Sequence, residues 1–170
     1  MKQSFEFAEN VFSGSAIKGE VAEKVTAPKH LSKEDAVRFV KGAEVYGREA
    51  HCTTCHQPDG KGLPGSGFPP LNGTKWAEGD SDRLIKLTLK GLMGPIEVAG
   101  KKYPGQVPMT PFESLLNVDE IASVLTYVRN SFGNKASPIR PDNVKKVRDE
   151  IKGKQGLYSP DELLKAHPMR

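Results

Sequence analysis

Apolar residues recur at helical spacing in three stretches of the chain. The first stretch begins after Ser32, whose hydroxyl is a typical helix cap, with Asp35 three residues later. Its apolar positions are Val37, Val40, Ala43 and Ala50, with Phe39 and Tyr46 at the flanks. The spacing predicts one helix that runs directly into His51 and Cys52.

The second and third periodic stretches predict two more helices. One spans residues 81–90 and stops at Gly91, and its apolar side consists of Leu84, Ile85, Leu87 and Thr88. The other begins at Asn117, which forms a capping-box pattern with Glu120, and ends at the run Phe132-Gly133-Asn134. Its apolar stripe is Ile121, Val124, Leu125 and Val128, with Tyr127 beside it.

The segments between and after these helices follow other patterns. Residues 57–75 are rich in Gly and Pro and have no periodicity, and a loop of that length is usually functional. Residues 96–103 predict a short hairpin with a Gly turn. Two weaker helices are expected over residues 142–151 and from Ser159 onward. We therefore divide the chain into an N-terminal extension or linker (1–31), a main domain (32–134) and a C-terminal helical extension (135–170).

The amino-acid composition predicts a thin hydrophobic core. Only 36% of the 170 residues are hydrophobic, and 17 glycines and 13 prolines favour turns and loops. A large apolar cofactor would supply the missing buried surface. The net charge of +4 suits a mildly basic surface or an acidic protein partner, whereas the lysines are too scattered for a nucleic-acid site. No apolar stretch is long enough for a membrane span, and the N-terminus has no apolar signal region.

The chain has two cysteines, and both lie in the run Cys52-Thr53-Thr54-Cys55-His56. Two thiols at this C-x-x-C-H spacing can add to the two vinyl groups of haem, and the following histidine then becomes the proximal iron ligand. A thioredoxin-like dithiol would follow a strand, whereas these cysteines follow a predicted helix. A zinc site would need a second pair of Cys or His ligands, which the sequence lacks.

Further residues around this motif resemble a class I cytochrome c. They are Gly42-x-x-x-Tyr46, Pro69-Pro70-Leu71, Met109 and the run Leu125-Thr126-Tyr127-Val128-Arg129, so the resemblance covers about residues 32–134. It implies an all-α fold with about three core helices around one covalent haem and a small hairpin before the axial methionine loop. The first and last core helices would cross at Gly42. The implied function is electron transfer rather than catalysis.

A second resemblance points to dehydrogenase-associated cytochromes. His51 to Gln57, Gly94-Pro95-Ile96, Tyr103-Pro104-Gly105 and Pro108-Met109 are similar to cytochrome domains fused or partnered to bacterial periplasmic dehydrogenases of the quinoprotein and propeller types. The tail Tyr158-Ser159-Pro160-Asp161-Glu162-Leu163-Leu164 resembles the C-terminal end of the propeller-type fusions. This resemblance implies a periplasmic location, a dehydrogenase domain or partner as electron donor, and a downstream electron acceptor.

The class I resemblance also implies the remaining site residues. Met109, in a segment stiffened by Pro108 and Pro111, would be the sixth ligand opposite His56, and Met93 is the second choice. The Pro69 carbonyl would accept the other ring N–H of His56, and Leu71 would pack on the haem. Trp76 and Tyr103 would contact the haem or its propionates, as could Asn72, Thr74 and Lys75.

Three alternatives stay open at this stage. His30, His51 or His167 could supply a second histidine ligand in place of methionine. A displaceable or absent methionine ligand would instead make the chain a haem enzyme or a gas or redox sensor with an open sixth site. A third role is structural, with the haem only stabilising a docking module.

Overall fold

The computed structural model describes residues 25–48 and 51–169, so the expectations for residues 1–24 lie outside the described part. The described chain is mostly helical, as expected for an all-α class I cytochrome c fold. Its helices are α1 (Lys33–Tyr46), α2 (Cys52–His56), α3 (Lys75–Glu78), α4 (Ser81–Lys90), α5 (Val118–Asn130), α6 (Pro141–Glu150) and α7 (Pro160–Ala166). A 3-10 turn spans Pro64–Ser66, and strands β1 (Ile96–Val98) and β2 (Lys101–Tyr103) form the predicted hairpin.

Helices α1 and α5 cross at Gly42. A side-chain carbon on this residue would lie 2.0 Å from the Ser123 carbonyl oxygen, so only glycine allows the two backbones to approach this closely. Aromatic rings fill the space beside the crossing, and Tyr46 and Tyr127 lie 5.3 Å apart between ring centroids. The crossing fixes the direction in which α1 delivers the chain toward Cys52.

The prediction for the first helix was wrong in two respects. The helix ends at Tyr46 and does not continue into Cys52, because Gly47 caps it and donates its N–H to the Ala43 carbonyl. Val37 and Val40 do not face the core, since they are 73% and 37% exposed. The buried face instead consists of Asp35, Phe39, Gly42, Val45 and Tyr46. A glycine at its centre has no side chain, so an apolar pattern cannot reveal this face. Ala50 lies outside the described residues.

The predicted boundaries of the other core elements are confirmed. Asp80 caps α4, which ends before Gly91, and Asn117 forms the expected capping box with Glu120 at the start of α5. The hairpin pairs Ile96 with Tyr103 and turns at Ala99 and Gly100, both of which have a positive φ.

The two C-terminal helices pack against the same core rather than projecting from it. Their segment contributes a row of buried apolar side chains: Ile139, Val144, Val147, Ile151 and Leu163. Helix α6 contacts both α4 and α5. The Thr126 hydroxyl donates to the Ile139 carbonyl over 3.0 Å, which ties the start of this segment to α5. None of the helices in the described part of the chain is both long and apolar enough to cross a membrane.

Candidate haem-binding site

Two adjoining cavities lie between α2, α4, α5 and the segment around Met109. Their volumes are about 90 and 250 Å³. The lining of the smaller cavity is mostly apolar, and α4, α5 and the hairpin contribute part of it. Both cavities share one set of lining residues: Cys52, His56, Pro69, Leu92, Ile96, Met109 and Phe112. The predicted thiol, imidazole and thioether groups therefore meet around one apolar space.

The short helix α2 carries both cysteines. Residues three apart lie on one face of a helix, so the C-x-x-C spacing directs Cys52 and Cys55 to the same side. Neither thiol forms a disulfide. Burial raises the pKa of Cys52 to about 12 and also raises the pKa of Cys55, so both are neutral thiols at physiological pH.

His56 is held in a fixed orientation by the loop that follows it. Its Nδ1 lies 3.0 Å from the Pro69 carbonyl oxygen. A carbonyl only accepts, so Nδ1 carries the proton and the lone pair of Nε2 is free for a metal. Burial lowers the pKa of His56, and the Pro69 hydrogen bond opposes this shift. The neutral imidazole is the form that ligates iron.

Met109 lines both cavities. Its backbone N–H donates to the Leu92 carbonyl over 2.9 Å, and its carbonyl accepts from the Leu92 N–H over 3.3 Å. Met93, by contrast, is 49% exposed, and it does not belong to the lining of either cavity. Of these two methionines, Met109 is therefore the one that shares an enclosed apolar space with His56.

The other residues implied by the resemblance are partly brought together. Leu71 and Trp76 line the smaller cavity, and the Trp76 indole donates to the Glu97 carbonyl over 2.9 Å. Tyr103 is buried in the core but does not line these two cavities. Thr74 is buried as the cap of α3, while Asn72 and Lys75 are exposed.

Two of the three alternative histidines have partners away from the cavities. His30 lies 2.9 Å from the Asn130 amide oxygen. His167 lies 3.1 Å from Asp80 and 3.0 Å from the Lys86 amine. His51 lines the larger cavity, but it precedes Cys52 directly and its ring packs against Phe112 at 5.5 Å.

Several cavity residues did not emerge from the sequence as site residues. Leu92 and Phe112 line both cavities, and Leu116 and Val124 line the smaller one. Phe112 lies three residues after Met109, and this proximity to the predicted ligand could have identified it as a cavity residue. Leu92 lies between Gly91 and Met93 in a stretch without periodicity, and the sequence offered no signal for it.

These donors fit a covalent haem. Two neutral thiols, one imidazole with a free nitrogen and one thioether surround a space whose walls are apolar. Haem iron in electron carriers takes nitrogen and sulfur ligands, and the macrocycle requires an apolar pocket.

Comparison with known proteins agrees with this geometry. The family profile described as Cytochrome c matches residues 39–132. The chain belongs to the cytochrome c family. It is 40% identical over 122 residues to cytochrome c-552 of Thermus thermophilus, an alignment that covers 66% of this chain and 78% of the relative. Membership establishes a covalently bound haem c and an electron-transfer domain rather than an enzyme.

Dehydrogenase subunits are also among the relatives of this cytochrome c. The chain is 33% identical over 113 residues to the cytochrome c subunit of the quinone alcohol dehydrogenase of Gluconacetobacter polyoxogenes, which covers 65% of this chain and 23% of the subunit. It is 31% identical over 118 residues to the fructose dehydrogenase cytochrome subunit of Gluconobacter japonicus. This alignment covers 69% of this chain and 24% of the subunit. The chain thus spans about a quarter of these subunits. The predicted relation to dehydrogenase-associated cytochromes is confirmed at the level of similarity.

Proposed function

We propose that this cytochrome c relays single electrons through a haem held by Cys52 and Cys55 and ligated by His56 and Met109. The observation that carries the proposal is that His56 and Met109 line the same apolar cavity, with the His56 ring oriented by Pro69. A thioether and an imidazole together raise the reduction potential of haem iron and leave no open coordination position. This arrangement favours a relay over an open site for catalysis or gas binding.

The residues of the chain would perform three tasks in this relay. The two thiols anchor the cofactor, and the Pro69 carbonyl keeps the His56 nitrogen directed at the metal. The apolar walls from α4 and α5 exclude water, which reduces the solvent reorganisation that accompanies a change of charge. When bound, the haem supplies the one-electron iron couple.

The proposed electron donor is a periplasmic dehydrogenase domain or subunit, with a downstream electron acceptor. The similarity to alcohol and fructose dehydrogenase cytochrome subunits supports this choice. Covalent haem attachment outside the bacterial cytoplasm supports the periplasmic location. In this proposal residues 32–134 are the haem domain, residues 1–31 are an N-terminal extension or linker, and residues 135–170 are a C-terminal helical extension.

The ligation is tested by the optical spectrum of the oxidised protein. The unmutated protein should show the weak far-red sulfur-to-iron band, and Met109→Ala should abolish it and lower the reduction potential. Met93→Ala is the matched control and should keep the band, because Met93 is exposed and lines neither cavity. Retention of the band in Met109→Ala together with its loss in Met93→Ala would move the ligand to Met93. A high-spin spectrum of the unmutated protein would exclude the relay.

The partner is tested by mixing the oxidised holoprotein with a purified quinoprotein alcohol dehydrogenase and its alcohol in a stopped-flow instrument. Reduction of the haem within the turnover time of the dehydrogenase supports the proposed donor. Omission of the alcohol is the control and should leave the haem oxidised. The rate of haem reduction by free quinol, without the dehydrogenase, is measured for comparison. A rate with the dehydrogenase and its alcohol that is no faster than this would contradict a dehydrogenase donor of this type.

A further inference from the structure

The segment Leu92–Met93 lies between two other backbone segments. On one side, Leu92 and Met109 exchange the two hydrogen bonds of an antiparallel bridge. On the other side, the Tyr158 N–H donates to the Gly91 carbonyl over 3.1 Å, and the Met93 N–H donates to the Tyr158 carbonyl over 2.9 Å. We call this arrangement the Tyr158–Leu92–Met109 ladder. It connects the C-terminal extension to the proposed axial ligand.

Close packing reinforces the ladder at Gly91. This glycine has a φ of +77°, and a side-chain carbon on it would lie 2.5 Å from both Leu157 Cδ2 and the Met109 carbonyl oxygen. A side chain at position 91 would therefore collide with both Leu157 and the Met109 carbonyl. Neighbouring Gly94 would likewise place a side-chain carbon 3.4 Å from Pro160 at the start of α7.

The extension side of the ladder is anchored to the core. Ser159 forms a capping box with Glu162 at the start of α7, and Leu163 in the same helix is 1% exposed. The Lys154 amine donates to the Leu157 carbonyl over 3.2 Å and lies 5.0 Å from the Tyr158 ring centroid. Residues 157–159 are thus held between a turn and a helix.

The Met109 side has less local support. Residues 104–111 contain no helix or strand beyond the single bridge at Met109, and Val107 is 60% exposed. The nearest other backbone links are from the Gly94 N–H to the Gly105 carbonyl over 3.2 Å and from the Phe112 N–H to the Thr88 carbonyl over 3.0 Å. Short loops with few bonds open more readily than core elements.

We propose that Tyr158 is a positioning residue for the sixth ligand, acting through Leu92 to keep the Met109 thioether on the iron. This inference rests on the proposed Met109 ligation and extends it to a residue outside the matched family region, residues 39–132. The backbone of Tyr158 carries the effect, since its N–H and carbonyl make the two bonds of the bridge.

The test compares two variants of the holoprotein at the same position. Tyr158→Pro removes the backbone N–H, whereas Tyr158→Ala keeps it and removes only the ring. Added imidazole competes with Met109 for the iron, so its apparent affinity reports how often the thioether has left. We expect imidazole to bind Tyr158→Pro about three- to tenfold more tightly than Tyr158→Ala, the range that corresponds to one net hydrogen bond.

A second pair of variants covers a failure of Tyr158→Pro to fold. Leu157→Ala removes the side chain that packs on Gly91 and leaves every backbone bond of the ladder in place. Leu115→Ala, at a residue that is 57% exposed, is its matched control. We expect imidazole to bind at least about twofold more tightly to Leu157→Ala than to Leu115→Ala, because the half-buried Leu157 contributes only part of the packing energy of a fully buried leucine.

The outcomes separate this inference from the proposed ligation. The role of the ladder is overturned if the two Tyr158 variants bind imidazole equally. If Tyr158→Pro does not fold, equal binding by the two leucine variants overturns it instead. In either case the far-red band would still support Met109 as the ligand. A lower melting temperature with unchanged imidazole affinity means that the extension only stabilises the fold, and it also overturns the inference. Absence of the band from the unmutated protein overturns the ligation itself and the inference with it.

Discussion

The two sides of the haem cavity are built in different ways. On the His56 side, three supporting bonds connect residues at most 13 apart: His56 to Pro69, the Gly62 N–H to the His56 carbonyl over 2.9 Å, and the Leu71 N–H to the Gly60 carbonyl over 2.7 Å. One long-range bond adds to them, because the Asn134 amide donates to the Leu71 carbonyl over 3.0 Å. On the Met109 side, the direct backbone bonds come from Leu92 in the segment after α4, and Leu92 is in turn bridged to Tyr158 in the C-terminal extension. The His56 side therefore relies mainly on bonds within one loop, whereas the Met109 side relies on segments from three parts of the chain.

This difference suggests a division of roles. In the proposed ligation, Cys52, Cys55 and His56 hold the cofactor through covalent bonds and mainly local constraints, which we expect to survive partial unfolding. In the same proposal, Met109 depends on contacts between distant segments, which close later in folding and open more readily than local ones. We therefore expect changes on the His56 side to affect whether haem is present, and changes on the Met109 side to affect how the iron is ligated.

The largest expected effect tests the attachment itself. Replacing both Cys52 and Cys55 by Ala should abolish covalent haem, because no thioether bond can form. The measurement is the mass of the acid-denatured protein, which should decrease by the mass of one haem relative to the unmutated holoprotein. Thr54→Ala, at an exposed position inside the motif, is the control and should retain the haem. Covalent haem in the double variant would contradict the assignment.

The next effect tests the helix crossing that leads to the His56 side. Gly42→Ala should lower the free energy of unfolding by about 1–3 kcal/mol, because the added carbon overlaps the Ser123 carbonyl. Gly47→Ala is the matched control, since a side-chain carbon there would lie 3.5 Å from its nearest neighbour. It should cause no loss in chemical denaturation. Equal stability of the two variants would exclude a close crossing at Gly42.

A smaller effect is expected at Tyr46, which links the crossing to the haem motif. Its hydroxyl donates over 2.7 Å to the carbonyl of Gln57, the residue that directly follows His56. Tyr46→Phe should lower the free energy of unfolding by about 1 kcal/mol, because the part-buried Gln57 carbonyl keeps only the Gly60 N–H as a donor. Tyr127→Phe, in the same aromatic cluster, should change it by less than about 0.5 kcal/mol. A larger loss in Tyr127→Phe would contradict this account.

The smallest effect concerns the ion pair between the C-terminal extension and α4. The Lys86 amine donates to Glu150 over 2.7 Å and holds the pKa of this carboxyl below its ordinary value of 4.5. A depressed folded-state pKa stabilises the protein above pH 4.5, and the stabilisation is lost as the pH falls through the folded-state value. The side chain is half exposed, so Glu150→Gln should cost only about 0.3 kcal/mol at pH 7.

This cost should shrink as the pH is lowered below 4.5, measured by chemical denaturation across a pH series. Asp149→Asn is the matched control, because this neighbouring side chain is exposed and lies outside the ion pair with Lys86. A cost for Glu150→Gln that stays constant from pH 7 to pH 3 would show that the ion pair with Lys86 contributes nothing.

Much of the fold and of the site could be predicted from residues that act locally. Asn117 with Glu120 marks the start of α5, and Gly91 marks the end of α4, because caps and stops depend on a few adjacent residues. The face of α1 could not be predicted, since its centre is Gly42 and two valines on its outer face, Val37 and Val40, are exposed.

By itself, the sequence determined the haem motif, the two cysteines, the histidine that follows them and the order of helices around the hairpin. These depend on covalent spacing and on local propensity. Only the tertiary structure decided which side of α1 is buried and which backbone supports Met109. The physical reason is that the Tyr158–Leu92–Met109 ladder consists of backbone hydrogen bonds. Every non-proline residue can form such bonds, so the side-chain pattern of the sequence does not predict which residues pair.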